Sequence, residues 1–561
     1  PAVRLFVARA TAALPGFGLN RDTVEPVTEI CRRLDGLPLA LELAAARVRS
    51  LAPAELAQRL DERFTILTSN PRRDPRHQTL HATVAWSYDL LGYVEQALFD
   101  RLSVFAGKFT TDDVERVCAD KVIPIDAVAS VLSTLVDKSM VVADVQRSTT
   151  RYSLLETLRD FGRGTLEAGD GDTGLRDRHA SWAVGICELG AVGIGSADEA
   201  IWAERFDETF DDLRVAHRWM IGTGDIVGAL RLVAGTREFA FRRMRYELFA
   251  WAEATIEAAG AQKHPLMPLT LSIAGYGRFV RGNLDEATRL AEQSIELEQT
   301  LGLPPCGLHW RTMANVFYYR GQADLAADTC QLMVTAARKS DDRSRLVHAL
   351  YMASVGLASA GRAEQSRRLA DEAIGLARRS KNPTALASAL YACALTIESV
   401  DSDRAASMLH EAVGYGVAAQ NRWIVAFLQT ELVSLAGRRG DFDVALHTAR
   451  SVIDTWYRAG DWANQWLTLR HVAGVLAARG DHEDAAVLHA AVRVASAELA
   501  LPIEASDLRR VEALLGNLPD VLGRSGFEAA GERGAAMSAI EVIDATLAMI
   551  DRAVGPAAAG Y

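Results

Sequence analysis

The chain is poor in cysteine, and its cysteines form no paired motif. Six cysteines are spread over 561 residues without a C-x-x-C spacing, so the sequence indicates neither a metal site nor a redox site. They lie in apolar stretches with helical spacing, which is typical of reduced core residues in a cytoplasmic protein. We therefore expect free cysteines and no bound metal.

An excess of positive charge is also lacking. The chain carries 61 Lys and Arg against 72 Asp and Glu, for a net charge of −11 and a pI near 5.7. A protein that binds nucleic acid without sequence preference needs a basic face. We therefore expect no direct contact of this chain with nucleic acid.

Long membrane-spanning runs and an export signal are missing as well. The longest apolar runs, residues 346–361 and 382–400, are interrupted by small and polar residues. They are in phase with the repeat described below and are typical of buried helices rather than membrane spans. No charged region, apolar region and cleavage site open the chain, so we expect a cytoplasmic protein without membrane contact. Because the first residue is Pro1, we expect a fragment or a processed chain.

Catalytic motifs are absent from the sequence. No G-x-x-x-x-G-K-[ST] loop occurs, because Gly107-Lys108 is followed by Phe109 and lacks the earlier glycine. Such a loop supplies the backbone N–H groups and the lysine that hold nucleotide phosphates. Neither G-x-S-x-G nor H-E-x-x-H is present. The sequence predicts that this chain is not an enzyme and holds no cofactor by itself.

What the sequence does contain is a repeat between residues 266 and 501. A turn residue, followed five positions later by a small residue, recurs every 39 or 40 positions. Such a period is typical of a solenoid, in which each unit buries its apolar face against its neighbours. The six marks are Gly282 with Ala287, Gly321 with Ala326, Gly361 with Ser366, Asp401 with Ala406, Gly440 with Ala445, and Gly480 with Ala485.

Each repeat unit reads as two antiparallel helices. Glycine at the turn accepts a positive φ and ends the first helix, and Asp441 or Asp481 after it is suited to cap the second. A second column of mostly small residues lies seven positions before each turn. Two small columns, one on each helix, allow the helices to approach closely. The second column is Gly275, Ala314, Ser354, Ala394, Val433 and Ala473.

This spacing resembles that of tetratricopeptide repeats, with a unit longer than the usual one. The resemblance implies a concave groove, lined by the first helix of each unit, that binds a protein or a small-molecule effector. Aromatic side chains with an arginine are typical of such a binding surface. The positions of the first helices that this resemblance places toward the groove are Tyr276, Phe279, Arg311, Asn315, Tyr318, Tyr319, Tyr351 and Tyr391, with Glu398 at the edge.

The N-terminal stretch CRRLDGLPLALELAAARVRS, with its Gly36-Leu37-Pro38-Leu39 quartet, resembles the helical subdomain that follows the ATPase core of STAND (NB-ARC-type) proteins. In that family the proline of the motif packs against the nucleotide base, so the resemblance implies that role for Pro38. ATP or ADP would bind only in an intact protein that contains the ATPase core. An alternative interpretation of the quartet is a simple junction between helices.

Residues 71–160 predict a winged-helix module. Helices at residues 80–91, 93–105, 111–119 and 125–138 precede two β-prone runs, 140–145 and 151–155. The amino-acid sequence of these segments resembles that of the winged-helix subdomain of the same ATPases. The helix before the hairpin offers only Lys138 as a basic residue, with Asp126 and Asp137 beside it, so we expect no DNA contact there.

Three smaller patterns have ordinary structural interpretations. His77 and His81 are spaced i, i+4 but have no third ligand nearby, which favours the polar start of a helix over a metal site. Gly190, Gly193 and Gly195 lack a strand-turn-helix context and predict a flexible loop between helices. Helices at residues 504–515, 525–532 and 538–550 predict a cap on the solenoid, followed by a disordered tail.

Together these patterns predict a mainly α protein: a winged-helix module with a small β-hairpin, followed by an α-solenoid of tetratricopeptide-like helix pairs. The expected domains are 1–70 (helical subdomain), 71–160 (winged helix), 161–265 (linking helices and a degenerate first repeat), 266–501 (solenoid) and 502–561 (capping helices and tail). The resemblance implies the sensor part of a STAND-type or LuxR-class transcription regulator that acts on an upstream ATPase core. Three alternatives remain: the regulatory arm of an ATPase or adenylate cyclase, a DNA-binding module, and a scaffold without switching. Oligomerisation is compatible with all of them.

Overall fold

The computed structural model describes residues 1–20, 22–34, 36–58, 75–145, 149–169, 172–340, 342–496 and 514–555. Several sequence predictions lie outside these ranges: the linker up to residue 74, the domain boundaries near residues 70 and 501, most of the helix at 504–515, and the tail after residue 555. The described chain divides into two compact units. One comprises residues 1–185 and 207–223, and the other comprises residues 186–206 and 224–561.

The first unit begins with three helices that share one apolar core. Phe6, Ile30 and Leu41 are fully buried in it, with Trp86 from the next helix. Gly36 has a φ of +66° and Pro38 takes the first position of its helix, where a missing N–H costs nothing. Pro38 therefore starts a helix rather than interrupting one. The helices are α1 (Ala2–Ala13), α2 (Val24–Arg33) and α3 (Pro38–Ala46), followed by a 3₁₀ turn (Arg47–Arg49).

A winged helix follows, as the sequence predicts. β1 and β2 are antiparallel, with Val142 opposite Ser153. Phe109 extends the pair, since its backbone exchanges hydrogen bonds of 3.0 and 2.8 Å with Tyr152. The elements are α4 (Pro75–Asp89), α5 (Tyr93–Leu102), α6 (Thr111–Cys118), α7 (Ile125–Asp137), β1 (Val142–Asp144), β2 (Arg151–Ser153) and α8 (Glu156–Ala168).

Two long helices, α9 (Asp172–Gly193) and α10 (Glu199–Thr223), follow the winged helix. The prediction of a flexible glycine loop between them is wrong for two of its three residues, because Gly190 and Gly193 belong to α9. A Cβ on Gly193 would lie 2.0 Å from the Trp202 ring, and one on Gly190 would lie 2.4 Å from Phe206. These glycines therefore let the end of α9 pack directly on the start of α10.

Helix pairs fill most of the second unit. They begin with α11 (Ile226–Arg242) and α12 (Glu247–Ala259), where the degenerate first repeat is predicted. The remaining helices are α13 (Met267–Val280), α14 (Leu284–Leu301), α15 (Leu308–Tyr319), α16 (Ala323–Arg338), α17 (Arg343–Ser359), α18 (Ala363–Ser380), α19 (Pro383–Ile397), α20 (Ser402–Ala418), α21 (Arg422–Arg439), α22 (Phe442–Ala459), α23 (Trp462–Arg479), α24 (His482–Ala495), α25 (Leu518–Ala535) and α26 (Ala539–Val554).

The predicted turn positions agree with the structure in the five units that have a glycine there. In the unit of Asp401 the turn lies one residue earlier than predicted. The five predicted turn glycines all have φ between +70° and +106°. Asp401 instead caps α20, accepting the backbone N–H of Arg404 at 3.0 Å, so Val400 holds the turn position. In consequence Ala405, with 1% exposure, is the buried small residue rather than the predicted Ala406.

The two small columns meet inside the helix pairs. Ser354 and Ser366 lie 3.0 Å apart through their hydroxyls, and each donates to the carbonyl of the other. A Cβ on Gly275 would lie 3.3 Å from the Ala287 carbonyl oxygen. The contacts between the paired helices are therefore close enough to exclude larger side chains.

The sequence predicts that the side chains of Asp441 and Asp481 cap the second helices of their units, and this prediction is wrong for the side chains. Both residues occupy the N-cap position, but neither side chain accepts a backbone hydrogen bond there. Their carboxylates lie beside arginines that end the preceding helices, at 3.2 Å from Arg439 and 3.1 Å from Arg479. The nearby positive charge competes with the orphan N–H groups for the same oxygens.

α25 and α26 cover the far end of the repeats. A Cβ on Gly534 of α25 would lie 2.1 Å from the Val487 carbonyl oxygen of α24, so only glycine permits this approach. Arg552 of α26 binds Asp484 of α24 at 2.8 Å. These helices bury the apolar face that the last repeat would otherwise expose, as a terminal cap does in repeat proteins.

Two glycines of α20 provide a test of this packing. A Cβ on Gly416 would lie 2.9 Å from methyl groups of Ile424 and Val425, whereas one on Gly414 meets nothing within 4 Å. Gly414→Ala should stabilise the protein by about 0.5–1 kcal/mol through helix propensity. Gly416→Ala should destabilise it, because overpacking costs about 1–3 kcal/mol. Urea unfolding of both variants measures the difference, and equal shifts would contradict the packing.

Candidate functional site

The second unit contains a cavity lined by residues from α13, α15, α16, α17, α21 and α23. Its volume is about 950 Å³, including the space at its open mouth. A small molecule or a few side chains of a peptide fit such a space, but a folded domain does not. The lining comprises Tyr276, Phe279, Arg311, Ala314, Asn315, Tyr318, Tyr319, Ala326, Cys330, His348, Tyr351, Met352, Val355, Gly356, Trp423, Phe427, Glu431, Ser434, Arg438, Asn464, Leu467 and His471.

Seven of the eight groove residues predicted from the sequence line this cavity. They are Tyr276, Phe279, Arg311, Asn315, Tyr318, Tyr319 and Tyr351. Tyr391 is not among the lining residues, since its ring packs between those of Tyr351 and Phe427 at 5.9 and 5.3 Å. Tyr319 is buried and Tyr318 is partly exposed. Whether these residues bind a ligand remains a prediction.

The residues of the opposite wall of the cavity were not predicted from the sequence. This wall comes from α21 and α23, through residues such as Trp423, Phe427 and Asn464. Trp423 packs on Phe241 of α11 at a ring distance of 4.3 Å, and Tyr319 donates to Asn464 Oδ1 at 3.2 Å. Helices about 145–180 positions apart in sequence thus close over the inner face. The predicted open groove is therefore a partly enclosed cavity.

Arg311 is buried among aromatic rings on one side of the cavity. Its guanidinium carbon lies 3.9 Å from the Phe241 ring centroid and 4.8 Å from that of Tyr276. Burial by itself raises the pKa of Glu238, but the positive charges of Arg242 and Arg311 lower it to about 2. A cation in this position is stabilised by the π faces and by that carboxylate. Arg311 is therefore a fixed, charged group in the wall.

His348 is a neutral group in the lining. Burial, assisted by the charge of Arg311, lowers its pKa to about 3. Among the described residues, none forms a hydrogen bond with the buried Nε2 atom of His348. Buried polar atoms usually have partners, so this atom is available to a bound group.

A buried polar network supports the cavity from behind. The Tyr246 hydroxyl donates to Asp461 Oδ2 at 2.7 Å, and Asn464 donates to the same carboxylate at 3.1 Å. Asp461 is fully buried at the N-terminus of α23 and also accepts the Asn464 backbone N–H at 3.1 Å. These bonds join α12 to α23 and fix the orientation of Asn464, which lines the cavity.

The lining carries charged groups of both signs and aromatic rings. Glu431 is its acidic side chain, and Arg438 forms an ion pair with Glu398 at the edge predicted from the sequence. Seven tyrosine, tryptophan and phenylalanine rings also line the cavity. This arrangement suits a planar or aromatic ligand with hydrogen-bonding groups.

The other predicted site residues lie in the first unit. Pro38 is exposed at the start of α3. His81 packs its ring on Phe161 at 5.3 Å, while the side chain of His77 lies outside the described residues. The exposed face of α7 begins with Ile125 and otherwise carries acidic and small residues: Asp126, Ala129, Ser130, Ser133 and Asp137. Lys138 forms an ion pair with Glu95 at 2.5 Å, so it is engaged within the module.

Comparisons with known proteins agree with the winged helix. A family model described as "Winged helix-turn-helix domain" matches residues 91–167. The chain is 33% identical over 403 residues to a protein of Mycobacterium tuberculosis named "Putative HTH-type transcriptional regulator", covering 67% of this chain and 43% of that protein. It is 42% identical over 177 residues to an uncharacterized protein of the same species, covering 31% of this chain and 45% of that protein. The chain thus spans less than half the length of these curated relatives.

Solved structures show limited similarity. A STAND protein with a tetratricopeptide repeat sensor from Pyrococcus horikoshii has a TM-score of 0.41 at 12% identity, covering 98% of this chain and 75% of that one. A Rap protein in complex with competence and sporulation factor has a TM-score of 0.40 at 13% identity, covering 67% of this chain and 99% of that one. No helix in the described part of the chain is long and apolar enough to span a membrane.

The network behind the cavity predicts a pH dependence of stability. Burial raises the pKa of Asp461 to about 6. The folded state therefore favours the protonated carboxyl. This preference contributes fully to the free energy of unfolding below about pH 4, and the contribution is lost as the pH rises through 6. Relative to Asp461→Asn, the free energy of unfolding of the wild type should fall across that window by about 3 kcal/mol. Urea unfolding at several pH values measures it, and a difference independent of pH would contradict the burial of this carboxylate.

Proposed function

We propose that this chain is the regulatory and sensor part of a bacterial transcription regulator of the STAND or LuxR type. An effector, either a small molecule or the end of a peptide, occupies the cavity of the second unit. The first unit carries the helical and winged-helix arms that pass the signal to an ATPase core outside this chain. The observation that carries the proposal is a cavity lined with aromatic rings, a fixed arginine and an unpartnered histidine nitrogen.

Two further observations support the regulatory assignment. The winged-helix match covers residues 91–167, and the relatives with 33% identity bear the name of HTH-type transcriptional regulators. The sequence lacks a phosphate-binding loop and a catalytic motif, in keeping with a non-enzymatic role. Under this proposal Pro38 contacts a nucleotide only in the intact protein, and residues 1–70 and 71–160 are arms of the switch.

The winged helix of this chain is suited to regulation rather than to reading DNA. A recognition helix presents Arg, Lys, Asn or Gln to base edges, whereas the exposed face of α7 presents Asp126, Ser130, Ser133 and Asp137. Asp137 lies 3.3 Å from Arg49, within the same unit. Carboxylates on this face repel DNA phosphates. The second candidate function, which the winged-helix match favours, is direct DNA binding by this module.

Thermal unfolding with a panel of tripeptides and aromatic carboxylates tests the sensor role. A ligand that binds only the folded state raises the unfolding midpoint. We expect at least one panel member to raise the midpoint of the wild type and none to raise that of Asn315→Trp, in which the indole fills the cavity.

Leu332→Trp is the matched control, because Leu332 lies on the exposed side of α16 with 50% exposure. It should respond as the wild type does. A panel that shifts the filled variant as much as the wild type, or that shifts neither, would contradict the effector cavity.

Fluorescence anisotropy of labelled duplex DNA separates the two candidate functions. Because α7 has an acidic exposed face, we expect no saturable binding of random-sequence or promoter DNA at physiological salt. Ser130→Lys/Ser133→Lys should gain weak, salt-dependent binding. Saturable binding by the wild type that weakens with salt would favour the DNA-binding alternative.

A further inference from the structure

Three side chains of different metal-binding types meet at the junction of α14 and α15. Glu298 comes from the last turn of α14, Cys306 from the loop after it, and His309 from the first turn of α15. Cys306 Sγ lies 3.3 Å from His309 Nδ1, which lies 3.7 Å from Glu298 Oε1. One ligand atom from each residue lies within 4.8 Å of the other two.

These distances suit a tetrahedral transition-metal site. Zinc binds thiolate at about 2.3 Å, imidazole nitrogen at about 2.0–2.1 Å and carboxylate oxygen at about 2.0–2.2 Å. Ligand atoms at tetrahedral angles around such an ion are separated by roughly 3.4–3.6 Å, which follows from those bond lengths. The observed separations of 3.3 and 3.7 Å bracket this value. Only small side-chain adjustments would admit an ion.

The ligands are held in place by the fold. The backbone N–H of Cys306 donates to Glu298 Oε1 at 2.7 Å and fixes the carboxylate. Glu298 and His309 are almost completely buried, whereas Cys306 is partly exposed. The buried Nε2 atom of His309 has no hydrogen-bond partner among the described residues, while its Nδ1 atom faces Cys306 and Glu298.

The charges around the cluster favour a divalent ion. A divalent ion offsets the cost of burying the Glu298 carboxylate and of forming the Cys306 thiolate. Arg345 is the neighbouring cation, and its Nη2 donates to the Pro305 carbonyl at 2.9 Å. With a thiolate, a carboxylate and this arginine, a bound divalent ion leaves a net charge of about +1.

We propose that Glu298, Cys306 and His309 form a binding site for a divalent transition-metal ion, with Zn²⁺ the ion that the ligand set favours. Sulfur, nitrogen and oxygen ligands together select such ions over Ca²⁺ or Mg²⁺. Binding releases the thiol proton of Cys306 to solvent and forms the metal–sulfur bond. The expectation of no metal site rested on the absence of C-x-x-C, but Cys306 and His309 form a C-x-x-H spacing.

The site joins consecutive repeat units and lies next to the effector cavity. His309 precedes Arg311 by two residues on α15, the helix that also carries Asn315, Tyr318 and Tyr319. An ion at the start of α15 would fix that helix relative to α14. The metal site does not depend on the proposed effector, so each can fail without the other.

Metal analysis of the reduced 561-residue chain tests the site. After removal of metals with a chelator, the wild type should retain close to one equivalent of added Zn²⁺ through gel filtration. Added Co²⁺ should give a thiolate-to-cobalt charge-transfer band. Cys306→Ser and Glu298→Gln should lower the affinity for Zn²⁺ at least tenfold, and the cobalt band should be absent in Cys306→Ser.

Cys393→Ser is the matched control, since Cys393 is also a partly exposed solenoid thiol and should retain the metal and the band. Circular dichroism of the metal-free variants establishes that they are folded. Wild-type protein that binds neither ion, or a Cys306→Ser variant that retains Zn²⁺ and the band, would overturn the site. Loss of the metal from Cys393→Ser as well would show adventitious thiol binding only.

Discussion

Close contact between small side chains is the constraint on which the second unit depends. Within a repeat the two helices touch at Ser354 and Ser366, or at Gly275 and Ala287, where larger side chains have no room. The turn glycine places the second helix against the first, and its φ of +70° to +106° is one that glycine adopts without strain. Because each helix pair is fixed in this way, Tyr276, Tyr319 and Tyr351 of the first helices face the same cavity.

The inner face becomes a cavity because helices that are distant in sequence meet across it. Phe241 of α11 reaches Trp423 of α21, and Tyr246 reaches Asp461 at the start of α23. This closure buries Arg311 between the rings of Phe241 and Tyr276. The low local dielectric strengthens the interaction of its charge with Glu238 and leaves His348 neutral. Contact between distant helices thus turns a row of aromatic residues into a cavity with fixed polar groups.

The periodicity of the sequence was enough to predict the helix pairs and the residues of one wall of the cavity. Gly282, Gly321 and Gly361 recur at the repeat period, so the columns before them identified Tyr276, Arg311 and Tyr351 correctly as inward-facing. Trp423 and Asn464 were missed because they lie in the first turn of their helices, outside those columns. Their approach depends on the small rotation accumulated between repeats, which no local pattern encodes. The loop prediction at Gly190 failed because a helix-packing glycine and a loop glycine look alike in sequence.

The free energies of unfolding of Ser366→Leu and Gln365→Leu test the central claim most directly. These neighbours on α18 receive the same side chain, but Ser366 is fully buried against Ser354 and Gln365 is exposed. Overpacking and the loss of the buried hydrogen bond from the Ser366 hydroxyl to the Ser354 carbonyl should destabilise Ser366→Leu by about 3 kcal/mol or more. Gln365→Leu should change stability by no more than about 0.5 kcal/mol. Equal effects of the two substitutions would contradict the account.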